Sequence, residues 1–243
     1  MLDLLAGLML LQTAAKPFEA SSVYTQETLS GFVAIENSRA VDGINYGDGE
    51  GVLSAGWIFA TPGGFFVGSE LLSSHGDGTS LPSESILALQ TFAGYSQAFG
   101  EHRFAVELLD YRFDAGEIGR FNHQGIGLRY RHGALQVELA HERAKPYFYA
   151  YRNRYFPYDL DRLAVGWQQA FSGDFGWSLG AGAGRIGRID IDYRFFTGSL
   201  HGRFQRLHWQ VGYVHASEEL ESFYHGIDRS QLLLRIAVPF RVF

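Results

Sequence analysis

The chain has 243 residues, 46% of them hydrophobic and 15% aromatic, with 30 glycines and no cysteine. That much apolar and aromatic material excludes a disordered chain, and the missing cysteine excludes disulfides, thiolate metal sites, a cysteine nucleophile and a lipidated N-terminal cysteine. The formal charge is −6, dispersed with both signs and without a basic cluster, so nucleic acid is not an expected partner.

The N-terminus opens on the apolar run Leu4-Leu5-Ala6-Gly7-Leu8-Met9-Leu10-Leu11, followed by Thr13-Ala14-Ala15. An apolar stretch ahead of small residues is the pattern of an export signal, with cleavage expected after Ala15 or Ala20. The competing reading is a short amphipathic helix, since the stretch lacks Lys and Arg and contains Asp3. We expect residues 1–20 to be a signal peptide and 21–243 a single domain, because no linker-like segment interrupts the texture after Thr28. Beyond this run nothing approaches the roughly 20 consecutive apolar residues that a membrane-crossing helix needs. A barrel strand needs only about 9–11 residues, with one face turned to lipid and the other to the lumen.

Period-2 alternation recurs along the rest of the chain. Ile126, Leu128 and Tyr130 alternate with Gly125, Gly127, Arg129 and Arg131, and Leu135, Val137 and Leu139 with Gln136 and Glu138. Leu163, Val165 and Trp167 alternate with Ala164, Gly166 and Gln168. Trp177, Leu179, Ala181 and Ala183 are set against Ser178, Gly180, Gly182 and Gly184, and Leu207, Trp209, Val211 and Tyr213 against His208, Gln210 and Gly212. Glycine therefore falls on the polar face, where it gives room and curvature to an inner wall.

Twelve strands are predicted, over 28–38, 50–60, 64–73, 84–98, 102–113, 120–131, 134–144, 160–171, 175–186, 191–204, 207–217 and 230–242. Short turns at Thr61-Pro62-Gly63-Gly64, Gly100-Glu101, His132-Gly133, Ser172-Gly173-Asp174 and Gln205-Arg206 alternate with longer segments. This predicts an all-β fold: an antiparallel transmembrane β-barrel of about twelve strands, with short periplasmic turns and longer extracellular loops in a bacterial outer membrane. Soluble sandwiches, lipocalin-type barrels and propellers also alternate, but lipocalin-type barrels need only eight strands and no propeller-like repeat is present.

The segment GFVAIENSRAVDGINYGDGEGVLSAGWIFATPGGFFVGSEL, from Gly31 to Leu71, resembles the start of the TorF-like porin family of outer-membrane proteins. The shared order is an apolar strand, an Arg-Gly-Ile-Ser-like loop, a second strand and a glycine-aromatic hairpin like Gly63-Gly64-Phe65-Phe66-Val67-Gly68. Leu87-Ala88-Leu89-Gln90-Thr91-Phe92-Ala93-Gly94-Tyr95-Ser96 is similar to the family's strand ending in Ala-Gly-Tyr. Here the loop reads Asp42-Gly43-Ile44-Asn45, without the arginine and serine, and the match covers about the first 100 residues. The resemblance implies an exported barrel and supplies no catalytic residues.

At the C-terminus Phe243 is the terminal aromatic that barrel assembly machinery commonly reads. The apolar set Leu232, Leu234, Ile236, Val238, Phe240 and Val242 nevertheless lies in the other register. Either Phe243 overhangs the strand or a bulge near Pro239 shifts the register.

Glu70, Glu107, Arg129, Arg131, Glu138, Arg162, Arg203 and Arg235 sit on the polar parity of their strands and are the candidate pore-lining residues. An arginine excess there favours anionic solutes. The alternative is that these charges pair with one another and fill a narrow bore. The aromatic run from Pro146 to Tyr158 offers Tyr147, Tyr149, Tyr151, Arg152, Arg154 and Tyr155 as girdle or loop contacts to lipid, lipopolysaccharide or a sugar. His215 and Ser217 share a strand face, the spacing of some outer-membrane lipid hydrolases, but lack an oriented third group. Gly47-Asp48-Gly49-Glu50 and His75-Gly76-Asp77-Gly78 are turns without calcium-loop spacing.

The function expected is a porin-like channel for passive diffusion of small, anionic solutes. A non-conducting structural or surface-binding barrel is the alternative, and a lipid-modifying hydrolase the remote one. No enzyme activity, metal or cofactor is expected. The expected partners are outer-membrane lipid, lipopolysaccharide, the barrel assembly machinery and small solutes, with the barrel acting as a monomer.

Overall fold

The computed structural model describes residues 27–37, 40–41, 44–45, 51–75, 85–114, 122–144, 147–149, 154–156, 159–172, 174–187, 190–219 and 230–242. In chain order the strands are β1 (Thr28–Glu36), β2 (Ala40–Val41), β3 (Ile44–Asn45), β4 (Val52–Ala60), β5 (Phe65–His75), β6 (Ser85–Phe99), β7 (His102–Asp114) and β8 (His123–His132). They continue with β9 (Leu135–Ala144), β10 (Tyr147–Tyr149), β11 (Arg154–Phe156), β12 (Asp159–Ser172), β13 (Phe175–Ile186), β14 (Ile191–Phe204), β15 (Leu207–Ala216) and β16 (Ser230–Arg241). Twelve of them close into a barrel in the order β1-β16-β15-β14-β13-β12-β9-β8-β7-β6-β5-β4. Closure removes every sheet edge, which a β-structure must do in lipid because no water is there to satisfy an open edge. The twelve predicted strands are these twelve, with ends displaced by a few residues at most.

One register line shows the tilt of the wall. It runs Thr28↔Ala60↔Phe66↔Gly94↔Glu107↔Gly127↔Ala140↔Arg162↔Gly184↔Tyr193, starting at the turn end of β1 and arriving near the loop end of β14. Such a stagger is what a tilted, closed sheet requires.

Alternation in the sequence becomes inside and outside in the barrel. In β4, Val52, Ser54, Gly56, Ile58 and Ala60 are buried while Leu53, Ala55 and Trp57 face out. Ile35 and Leu108 are 67% and 63% exposed, and outward leucine, valine and phenylalanine recur on strand after strand. In water so large an apolar surface would drive aggregation; in a bilayer it is the solvated face.

The outward face is layered. At the turn end it carries aromatics: Phe65 against Tyr95, Phe99 against Phe104, Phe104 against Tyr130 and Phe175 against Trp209, with ring centroids 5.0–6.2 Å apart. At the loop end of β7, β9, β12, β13 and β14 the outward positions turn polar and mostly ionic, with Asp110, Arg112, His141, Arg143, Asp159, Asp161, Arg185, Asp192 and Arg194. These are the two interfaces of a membrane band.

The turns follow their sequence. Gly100 and Gly133 have φ of 63° and 54° at the first position of two-residue hairpins, Gly64 has φ of 88°, and Gln205 takes the same left-handed region at 55°. At the other end, β13 and β14 are joined by only residues 187–190, so the loop side is not uniformly long.

Seven of the strand glycines have a further role, which depends on pairing across strands. Gly56 lies opposite Phe32, Gly68 opposite Phe92, Gly94 opposite Phe66, Gly182 opposite Phe195 and Gly184 opposite Tyr193, and in each case a ring atom occupies the space a Cβ would take. Gly31 and Gly202 do the same on the outer face for Phe240 and Trp209. Each glycine is a seat for the cross-strand ring, so its placement is not confined to the inner wall.

The C-terminal register is continuous through Phe32↔Pro239, leaving no bulge there. Val242 donates its N–H to Leu29 O, so the even-numbered residues of β16 bond towards β1 and Pro239 faces β15. The β15 ladder ends at His208↔Ala237, so the donor that proline lacks falls beyond the last pair. Phe243 lies outside the described residues.

Candidate functional site in the barrel interior

All eight predicted pore-lining residues lie on the inward parity. Glu70, Glu107, Arg129, Arg162 and Arg235 are buried, while Glu138, Arg131 and Arg203 are partly exposed. Two adjoining stretches of the interior wall differ in character. On β1 and β4–β7 the inward residues include Phe32, Ile58, Phe66, Phe92 and Leu109, and four of these, with Ala60, form one apolar cluster. On β7, β8, β9 and β12 they are charged.

The charged wall is a ladder. Arg129 Nη2 lies 2.7 Å from Glu107 Oε1 and its Nε lies 3.0 Å from Glu138 Oε2. Arg162 Nη2 lies 3.5 Å from Glu138 Oε1 and 3.1 Å from Glu142 Oε1, and His123 Nε2 lies 3.1 Å from Glu142 Oε2. The chain Glu107–Arg129–Glu138–Arg162–Glu142 thus alternates in sign and ends on His123, each step joining strands adjacent in the sheet. The pairs run along the wall. Gly127 and Gly125 make room for it, since a Cβ on either would meet Glu107 or Glu142.

A second charged group sits at the β16–β1 seam. Arg235 Nε lies 3.4 Å from Glu36 Oε1, Ser54 Oγ donates to the same oxygen at 3.2 Å, and the guanidinium covers the Phe32 ring at 4.8 Å. Between the two groups Tyr111 donates to Gln90 Oε1 at 2.7 Å and stacks on His123.

The turn end of the interior differs from the ladder. Arg103 and Arg131 face each other directly in the β7–β8 register, and Arg203 lies near the turn end of β14. Arg131 donates to Gly133 O at 3.3 Å, and Arg203 lies 2.7 Å from Asp174 in the neighbouring turn.

Sequence reasoning missed Glu36, Glu142, His123 and Arg103. Glu36 and Glu142 follow Phe32-Val33-Ala34 and Leu139-Ala140 on the inward parity, so extending the alternation by one step finds them.

Within the aromatic run a short backbone hairpin is described. Tyr147–Tyr149 pairs with Arg154–Phe156 as a hairpin between β9 and β12, outside the barrel wall, while Tyr151 and Arg152 lie outside the described residues. The girdle at the turn end comes from other strands. The turns at Gly47–Glu50 and Gly76–Gly78 and the export segment also lie outside the described residues. His215 Nδ1 is 2.8 Å from Ser230 Oγ, and Ser217 Oγ accepts from the Arg194 backbone N–H at 3.0 Å, so these bonds do not couple His215 to Ser217 as base and nucleophile.

No protein-family model matches the sequence, and no curated protein matches it. Solved structures do. A KdgM porin matches with a TM-score of 0.54 at 13% identity, over 88% of this chain and 99% of that one. A NanC porin matches with a TM-score of 0.56 at 10% identity, over 88% of this chain and 100% of the other. A KdgM porin in complex with disordered oligogalacturonate matches with a TM-score of 0.50 at 12% identity, over 89% and 99%. At such identities the likeness is one of fold: this chain shares the closed antiparallel β-barrel architecture of those porins.

Proposed function

We propose that this protein is an outer-membrane channel for passive diffusion of small solutes, with a preference for anions. The observation that carries the reading is the distribution of charge inside the barrel. Along the ladder each guanidinium is shared between carboxylates, whereas towards the turn end three arginines gather on the inward parity, Arg103 and Arg131 directly opposite one another and Arg203 beside Asp174 of the neighbouring turn. A ring of one sign at a constriction or mouth sets ion preference, because a low-dielectric wall focuses its field into the bore. The fold likeness to a porin solved with oligogalacturonate, a polyanion, agrees with this direction.

The same proposal carries four further parts. Residues 1–20 act as the export signal, assembly machinery inserts the barrel as a monomer, and the chain is kin to the TorF-like porins. The protein is a channel and not a hydrolase. Liposome swelling tests the solute class. Uronates and other small monoanions are expected to enter faster than neutral sugars of similar size, and charge reversal at Arg103 and Arg131 is expected to invert the order. Equal rates for both classes in wild type would refute the anion preference while leaving the channel intact.

A further inference from the structure

Outside the barrel, near the loop end of β8–β14, lies a groove of about 960 Å³. Its floor follows one register line on the outward face, Leu128↔Leu139↔Leu163↔Ala183↔Arg194, which continues through the Arg194 carbonyl to Ser217 N–H. Three leucines, 45–50% exposed, are followed by a methyl group and then a guanidinium. The step from leucine to Ala183 is what makes the surface concave.

The register line one step nearer the loops, Ile126↔His141↔Asp161↔Arg185↔Asp192, is polar beyond Ile126 and internally matched. His141 Nδ1 lies 2.7 Å from Asp161 Oδ1, and Arg185 lies 2.6 Å from Asp190 and 3.9 Å from Asp192. Those carboxylates are therefore engaged. Arg194 is not: it stands two residues closer to the membrane midplane than Asp192, beside an apolar row, and its guanidinium has no side-chain partner among the described residues. Phe196 follows it on the same face. A lipid-facing arginine at the edge of the hydrocarbon is costly unless an anion meets it there. Of the carboxylates that line the groove, Asp161 and Asp192 are engaged by His141 and Arg185 and Glu219 lies past the end of β15, whereas the bilayer supplies anions at the depth of Arg194.

We propose that this groove is a binding site for a phosphorylated glycolipid of the outer leaflet, of the lipid A type. One acyl chain lies along Leu128, Leu139, Leu163 and Ala183, and a phosphate sits on the Arg194 guanidinium. The Ser217 hydroxyl proton, uncommitted by the bond its oxygen accepts, is placed to donate to the same phosphate. Basic positions at the head-group level of a barrel recognise anionic lipid by this pairing of charge above and chain below. The site depends on the outer face meeting lipid and not on whether the bore conducts.

The test is native mass spectrometry of the full-length barrel released from micelles doped with purified lipid A or with phosphatidylglycerol. Wild type is expected to retain one lipid A, and Arg194→Gln and Ala183→Leu each to lower that occupancy at least tenfold. Ala183→Leu fills the chain groove without touching a charge. Arg112→Gln, whose arginine is paired with Asp110 on another part of the belt, is expected to bind as wild type. Heat-modifiable gel migration confirms that each variant is folded. Equal retention by wild type and Arg194→Gln, or retention of phosphatidylglycerol as strong as that of lipid A, would overturn the assignment.

Discussion

Replacing Glu138 by glutamine removes one negative charge from the centre of the interior ladder while keeping the shape of the side chain. Arg129 and Arg162 both lose a partner, but Arg129 keeps Glu107 at 2.7 Å and Arg162 keeps Glu142 at 3.1 Å. The cost to folding should therefore stay below the about 3–5 kcal/mol typical of breaking a buried pair outright. The effect on permeation follows from Coulomb's law. A unit charge about 10 Å from the axis, acting through water, shifts the energy of a monovalent ion there by about 0.4 kcal/mol, or about twofold in each ion's occupancy. Because anion and cation shift oppositely, the permeability ratio should move by about fourfold towards anions. Arg129→Ala should move it by a similar factor towards cations. Zero-current potentials across planar bilayers under a salt gradient measure both. The two shifts should be clear near 10 mM salt, where the screening length is about 30 Å, and vanish near 1 M, where it is about 3 Å. Shifts of the same sign in both variants, or shifts that persist at high salt, would refute the electrostatic account of the ladder.

Two further predictions address the wall itself. Gly68→Ala places a methyl group where the Phe92 ring and the Trp57 carbonyl lie, so it should destabilise the folded barrel by about 1–3 kcal/mol in urea titrations, with Phe92→Leu in the same chain recovering part of the loss. No change in Gly68→Ala would show that the ring is not seated on the glycine. Leu128→Arg, in the outward apolar row, should cost about 2–4 kcal/mol, whereas Gln124→Arg, four residues nearer the loops, should cost about 0–1 kcal/mol. Equal costs would contradict the placement of the membrane band.

The strands were legible because alternation carries the burial. The prediction of 84–98 became Ser85–Phe99 and that of 191–204 became Ile191–Phe204 without loss of parity, so the inward assignment of Arg129 or Glu138 followed from its neighbours alone. What could not be read depends on register. That Gly182 faces Phe195, or that Arg162 lies between Glu138 and Glu142, requires knowing which residues sit opposite one another on separate strands. No single-strand pattern contains that. The hairpins of β2–β3 and β10–β11 were missed for a different reason: two or three residues per strand give no period to detect. His215 and Ser217 show the limit of spacing arguments, since shared parity placed them near one another but their hydrogen bonds go to Ser230 and to the Arg194 backbone.

Single-channel recording in planar bilayers, on protein whose folding is first confirmed by heat-modifiable migration, tests the central claim most directly. Discrete openings, with an anion preference that Arg129→Ala reduces, are the predicted result; a correctly folded and inserted barrel that never opens would contradict the channel and leave a structural or surface-binding protein in its place.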